Sequence, residues 1–264
     1  MSVKSTITAA ASAFGLLLAL AGVGSAETIK LGVTAGPHAQ IAEALKPVAA
    51  AKGLDIEIVE FSDGALIDPA TQDGDLHANA FQHTPYLDQQ NADRGLTLVS
   101  AAKTVLLPMA AYSRKVKSIA DLPEGAQITI PNDPSNGGRA LKLLDQGGII
   151  TLTPGVTFKA TELDIVDNPK HVKILPLETA QLPRSLEDVD FSVITSHFAI
   201  SAGLLPSRDA LLVESQQSDY FCLIAIKPEN ADKPWVKTLV EAYRSPEVKA
   251  FIDKTFEGNI LTSW

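Results

Sequence analysis

The chain has 264 residues, with 22 lysines and arginines against 31 aspartates and glutamates, and a formal net charge of −9 at pH 7. Its hydrophobic fraction of 45% is close to the globular average, which argues against disorder, collagen-like repeats and a disulfide-stapled miniprotein. The acidic balance predicts no nucleic-acid partner, because that binding needs clustered positive charge. With Cys222 as the only cysteine, neither an intramolecular disulfide nor a cysteine-based zinc or iron–sulfur site can form.

The first 26 residues have the pattern of a secretory signal peptide, with Lys4 as their only charge and an apolar stretch at Ala13–Ala21. Small residues at Gly24 and Ala26 predict cleavage before Glu27. The alternative is an uncleaved membrane anchor, but the apolar stretch is shorter than the ~20 residues that span a bilayer. Because no cysteine follows the small residues, we expect a periplasmic protein that is exported through a cleaved signal peptide and is not a lipoprotein.

After residue 27 the hydrophobic period alternates between 2 and 3.6, which is typical of an α/β protein. The predicted strands are Thr28–Thr34, Leu54–Val59, Leu96–Val99, Val105–Ala111, Gln127–Ile130, Val172–Leu177, Phe191–Ile194 and Tyr220–Ile226. The predicted helices are one that opens at Gly36-Pro37 and ends at Gly53, then Pro85–Ala92, Ser135–Asp145, Leu182–Leu186 and Trp235–Tyr243. The chain is long for a single core and has no long linker, which indicates two lobes that exchange strands.

A strand-to-helix turn after Ile130 carries polar residues suited to an anion. Asn132–Arg139 leads from a strand into a helix, and free N–H groups at such a turn favour negative charge. Arg139 would add a bidentate grip on a carboxylate. In the alternative, Asp133 or Ser135 caps the helix and Arg139 is a solvated surface charge.

A second segment, Ala78–Asp88, places aromatic rings and an imidazole where a strand runs into a helix. Phe81, His83 and Tyr86 would offer an apolar wall with polar tips, although Phe81 would equally suit the core and His83 a helix cap. A metal site at His77 and His83 is disfavoured, because their spacing matches no usual ligand pair. No nucleophile elbow, dinucleotide fingerprint or zinc-protease motif occurs.

Long and unusual strings recur along the chain: Ile29–Gly36, Val59–Asp63, Asn79–Asp88, Ile130–Leu141, Leu163–Lys170, Ala180–Leu186 and the terminal Trp264. Through them the mature chain resembles the methionine-binding proteins of ABC importers, the NlpA-type lipoprotein family. The resemblance implies an α/β, two-lobed periplasmic binding protein fold with two strand crossovers, near Pro108–Ser113 and Tyr220–Ile226. Lobe 1 would comprise residues 27–111 plus 223–264, and lobe 2 residues 112–222.

The resemblance also implies a ligand-binding site between the lobes. Phe81, His83 and Tyr86 fall on wall positions, and Asn136 and Arg139 on positions that hold the polar end of an amino acid. On this basis Arg139→Ala is expected to weaken binding and leave the fold intact.

Two positions depart from the family pattern. Gly64 stands where the family usually has an aromatic residue, which predicts extra volume in the site. His197, in Thr195–Phe198, stands where an asparagine is common, and an imidazole of ordinary pKa near 6.5 predicts pH-dependent affinity. Alternatively, His197 points into the lobe and plain methionine still binds.

The implied function is that of an extracytoplasmic receptor, with no enzyme activity and no cofactor. It would capture an amino acid, with methionine as the leading candidate, and deliver it to an inner-membrane ABC permease driven by a cytoplasmic ATPase. We expect a monomer. The alternatives are a metal-binding periplasmic receptor and a periplasmic enzyme on the same scaffold.

Overall fold

The computed structural model describes residues 27–264, so the predicted signal peptide lies outside the described residues. Helices α1 to α9 are Pro37–Ala50, Ile67–Asp73, Thr84–Arg94, Pro134–Gln146, Leu182–Ser185, Ser196–Ser201, Pro206–Asp209, Pro234–Tyr243 and Pro246–Phe256. Strands β1 to β14 are Glu27–Thr34, Leu54–Phe61, Ala78–Asn79, Val99–Lys103, Val105–Leu106, Ala110–Tyr112, Gln127–Pro131, Thr151–Leu152, Ile165–Asp167, Lys173–Leu177, Phe191–Ile194, Leu212–Val213, Leu223–Ile226 and Leu261–Thr262. No helix among the described residues is both long and apolar enough to span a bilayer.

The first of two five-stranded sheets has the order β2-β1-β3-β13-β4. β1 pairs in parallel with β2 and β3, while β13 runs antiparallel to β3 and β4. Ile29 and Leu31 of β1 are fully buried with Ile41 and Leu45 of α1, in one core that also includes residues of α8 and α9. Burial of such side chains contributes about 1.5–3 kcal/mol each, and it fixes α1 against the sheet.

The second sheet has the order β10-β7-β11-β6-β12, with β7 parallel to β10 and β11 and with β6 antiparallel to its neighbours. Its own core joins Ile128 and Phe191 of the sheet to Leu141 and Leu144 of α4. Two sheets, each with its own helices and core, form the two-lobed α/β architecture that the sequence predicted.

The chain passes between the two sheets twice within residues 27–264, at 107–109 and at 214–222. The two passages touch at one end, where the Glu214 N–H donates to the Met109 carbonyl at 2.9 Å. The other end of the second passage meets β5, where the Cys222 N–H donates to the Val105 carbonyl at 2.7 Å. The single predicted strand over 105–111 is wrong, because β5 pairs with β14 and β6 joins the second sheet. Pro108 stands at the break, where it has no N–H to offer a ladder.

Other elements also differ from the sequence prediction. β4 begins at Val99 rather than at Leu96, and β13 begins at Leu223 rather than at Tyr220. Helices α2, α6, α7 and α9 were not predicted, although α9 has an N-cap in Ser245, whose Oγ accepts from the Val248 N–H. The predicted lobe boundary between residues 111 and 112 falls inside β6 and stays a prediction.

Candidate functional site

A cavity of about 280 Å³ opens between the two sheets, where the carboxyl ends of their parallel strands meet. Thr34 ends β1, Asn132 follows β7 and Thr195 follows β11, and all three line the cavity. Ligands of open α/β sheets bind at this edge. The structure places all seven candidate residues on its lining: Gly64, Phe81, His83, Tyr86, Asn136, Arg139 and His197.

His83 forms a hydrogen bond between the lobes. It is the N-cap of α3, where its Nδ1 accepts from the Tyr86 N–H at 3.2 Å. Its proton is therefore on Nε2, which donates to Asn136 Oδ1 at 3.0 Å, and Asn136 Nδ2 donates to both Asp133 carboxylate oxygens at 3.1 Å. Burial, and next the charge of Arg139, lower the pKa of His83 to about 3, so the ring is neutral. His83 is thus both a helix cap and a cavity residue.

Arg139 is buried, with 5% of its surface exposed, and is not a solvated charge. Its Nε donates to Glu214 Oε1 at 2.9 Å, and its Nη2 donates to Glu214 Oε2 and, at 3.1 Å, to the Leu107 carbonyl. The guanidinium carbon lies 4.3 Å from the centre of the Tyr220 ring. Asp133 caps α4 by accepting from the Asn136 N–H at 2.9 Å, so the capping alternative is also present. Arg139 already has one carboxylate partner, Glu214, which was not predicted from the sequence.

Phe81 and Tyr86 form the apolar wall, with their rings edge-to-face and 5.8 Å apart. A Cβ added to Gly64 would lie 2.9 Å from Cε2 of Phe81. The Phe81 ring therefore occupies the space beside Gly64, and the expectation of extra volume there is wrong.

His38, at the start of α1, faces His197 with ring centres 5.7 Å apart. Burial lowers the pKa of His38 to about 4. Burial, and next the neighbouring His38, also hold the pKa of His197 well below its usual range. Both rings are therefore expected to be neutral near pH 7, and the pH-dependent affinity expected from His197 stays a prediction.

Gln82 belongs to a buried polar network behind the wall. Its Nε2 donates to Asn79 Oδ1 at 2.9 Å and also to Asp68 Oδ1. Burial raises the pKa of Asp68 to about 6, against the effect of the hydrogen bonds that Gln82 and Asn79 donate to its carboxylate. Gln82 lines the cavity, and its Oε1 is buried without a hydrogen-bond partner among the described residues.

His77 and His83 have separate partners. His77 Nδ1 accepts from the Lys30 N–H at 3.0 Å, and its ring packs on Trp235. Residues 27–264 contain no group of three or more histidine, cysteine, aspartate or glutamate side chains arranged to hold a metal ion. Cys222 lines the cavity, and burial raises its pKa to about 12, which keeps it a thiol.

Comparison with known proteins identifies the family. Residues 29–264 match the sequence model of the NlpA lipoprotein family. The chain belongs to this family. It is 47% identical over 254 residues to the D-methionine-binding lipoprotein MetQ of Salmonella typhi, with 94% of each chain covered. It also matches a nutrient binding protein from Burkholderia cenocepacia, solved bound to methionine, with a TM-score of 0.88, 48% identity, and coverage of 89% of this chain and 100% of that one.

The expectation that the protein is not a lipoprotein is contradicted. Relatives covered over most of their length are named lipoproteins, including Lipoprotein 28 of Escherichia coli K12, which is 42% identical over 255 residues and covered over 94% of its chain. That expectation rested on the lack of a cysteine after the small residues Gly24 and Ala26, in a segment outside the described residues. Family membership rests on residues 29–264.

Proposed function

We propose that this protein is the substrate-binding component of an ABC importer and that it captures an amino acid, methionine or a related compound, in the cavity between its lobes. The bound solute passes to an inner-membrane permease whose transport is driven by a cytoplasmic ATPase. The observation that carries the proposal is a cavity between two lobes that holds a buried guanidinium beside an aromatic wall. The methionine bound to the Burkholderia protein supports the ligand class.

Arg139 receives the α-carboxylate of the ligand in this proposal. Among the described residues, Glu214 and Leu107 engage its Nε and Nη2, which leaves Nη1 available for a ligand. A charge-assisted hydrogen bond in a closed cavity is strong, because the local dielectric is low. Glu214 holds the guanidinium plane in one orientation, so little side-chain entropy remains to be lost on binding.

The other parts of an amino acid also find matching groups. Gln82 Oε1 is an acceptor without a partner, and its orientation is fixed because Nε2 donates to Asn79 and Asp68. It suits the α-ammonium. Phe81 and Tyr86 provide apolar surface for the side chain.

The lobes close on the ligand in this proposal. They comprise residues 27–111 with 223–264, and residues 112–222. The His83–Asn136 hydrogen bond joins them in the closed form, and closure excludes water from the cavity. We propose that the receptor acts as a monomer.

Isothermal titration calorimetry with the L-amino acids tests the proposal. The protein is first unfolded and then refolded. Refolding removes any solute that co-purifies, and mass spectrometry of the material released identifies it. We expect one site per chain, occupied by methionine or a relative. Absence of both a co-purifying amino acid and any titration signal would refute the function. Chemical conversion of the ligand on incubation would indicate an enzyme, and a stoichiometric metal ion would indicate a metal receptor.

A further inference from the structure

Four polar side chains line the cavity near the starts of α1 and α6. Thr34 ends β1 and His38 lies in the first turn of α1, while Thr195 is the N-cap of α6 and His197 lies in its first turn. The rings of His38 and His197 face each other at 5.7 Å. We call these four residues the polar corner.

Three of the four have a buried atom that lacks a hydrogen-bond partner among the described residues: Thr34 Oγ1, His38 Nδ1 and Thr195 Oγ1. The exposed fractions of these residues are 3%, 2% and 5%. Buried polar atoms without partners are unfavourable and rare. Because these three atoms belong to residues that line the cavity, a ligand in the cavity is the partner to test for them.

The electrostatics of the polar corner favour an oxygen over a cation. It adjoins the N-terminus of α1, a helix of 14 residues whose N-cap, Gly36, provides no side-chain cap. The first N–H groups of a helix lack partners within it, and the positive end of the helix dipole attracts an acceptor. The imidazoles of His38 and His197 add no negative charge that would stabilise an ammonium.

We propose that the polar corner binds an oxygen on the side chain of the ligand, so that the substrate is an α-amino acid whose side chain carries a hydrogen-bond-accepting oxygen. This rests on the proposed function, in which Arg139 takes the α-carboxylate and Gln82 the α-ammonium, leaving the polar corner for the side chain. Methionine sulfoxide has this chemistry, and methionine does not. Thr34 and Thr195 are then specificity-determining residues.

Calorimetric titration of a matched series tests the proposal: L-methionine, L-norleucine, L-methionine sulfoxide, L-methionine sulfone and L-glutamine. We expect the best oxygen-bearing compound to bind at least about tenfold more tightly than methionine and norleucine, the factor that one to two additional hydrogen bonds supply. Thr34→Val and Thr195→Val keep the side-chain shape and remove one hydroxyl. In each variant, the ratio of the dissociation constant of methionine to that of the best oxygen-bearing compound falls below about threefold.

Thr28→Val is the matched control, because Thr28 lies on the same strand as Thr34 but at its exposed opposite end. It should keep the wild-type ratio. Methionine bound as tightly as every oxygen-bearing compound would overturn this inference and leave the proposed function standing. An oxygen preference that survives both polar-corner variants would overturn the assignment to these residues. If no amino acid binds, the proposed function itself fails. Circular dichroism checks that each variant is folded.

Discussion

The Arg139–Glu214 pair gives the sharpest prediction about stability. The side chains are only 5% and 9% exposed, so removing one partner leaves the other as a buried charge. Such a loss costs about 3–5 kcal/mol. After Arg139→Met, the Met109 N–H, at 3.2 Å, would be the one donor left to the Glu214 carboxylate among residues 27–264. We therefore expect the free energy of unfolding to fall by about 3–5 kcal/mol, in contrast to the expectation that truncating Arg139 leaves the fold intact.

Replacing both partners separates folding from binding. Exchange of a buried ion pair for apolar residues of similar volume is often neutral or stabilising. The double variant Arg139→Met/Glu214→Met should regain most of the lost stability. Its affinity for the ligand should still be weaker by on the order of 2–5 kcal/mol, because the group proposed to receive the carboxylate is gone.

Urea unfolding gives the three free energies, and calorimetry on the double variant gives the affinity. The control is Lys249→Met, which breaks the exposed Lys249–Asp253 pair at 2.8 Å and should cost less than about 1 kcal/mol. The reasoning fails if Arg139→Met costs no more than this control. It fails equally if the double variant is no more stable than the single one.

Three further predictions concern shape, pH and packing. Ligand should reduce the radius of gyration measured by X-ray scattering, because the lobes close; identical curves at saturation would reject closure. The pKa of His38 is lowered from 6.5 to about 4, so its stabilising contribution is complete above pH 6.5 and is lost as pH falls towards 4. In that window the free energy of unfolding of wild type should therefore fall by up to about 1.4 kcal/mol per pH unit more than that of His38→Asn. Asp68, whose raised pKa has the opposite effect, is present in both proteins and cancels in the comparison. Parallel profiles of unfolding free energy against pH would contradict the burial of His38. Gly138→Ala would place a Cβ 2.1 Å from the Phe158 carbonyl oxygen. Urea unfolding should therefore show that the free energy of unfolding falls by about 1–3 kcal/mol. Wild-type stability of the variant would mean that the two backbones are not in contact.

Much of the fold was predictable, because strand and helix periods are local properties of the sequence. Some elements were predicted wrongly because distant contacts decide them. The predicted strand over 105–111 divides because its two ends pair with different sheets, which no local pattern records. α9 was missed although its capping serine was visible in the sequence.

The candidate site was predictable in its residues but not in its interactions. Motifs and the family resemblance named seven positions, all of which line the cavity, and their roles in binding stay proposals. Glu214 was missed because it is 75 residues from Arg139 in sequence and lies in no motif. The effect of Gly64 was misjudged because the space beside it is occupied by Phe81, which only the three-dimensional packing shows.

The two neighbouring passages between the sheets have a consequence for the order of events in binding. In the proposed closure the lobes rotate about these two passages, which the hydrogen bond from the Glu214 N–H to the Met109 carbonyl joins. Arg139 contacts both passages, through Leu107 and Glu214, so we expect it to move least when the lobes separate, whereas His83 and Asn136 would come apart. If the proposed closure is right, the guanidinium is already in place in the open form. We then expect the ligand carboxylate to bind to Arg139 first and the remaining contacts to form as the lobes rotate together.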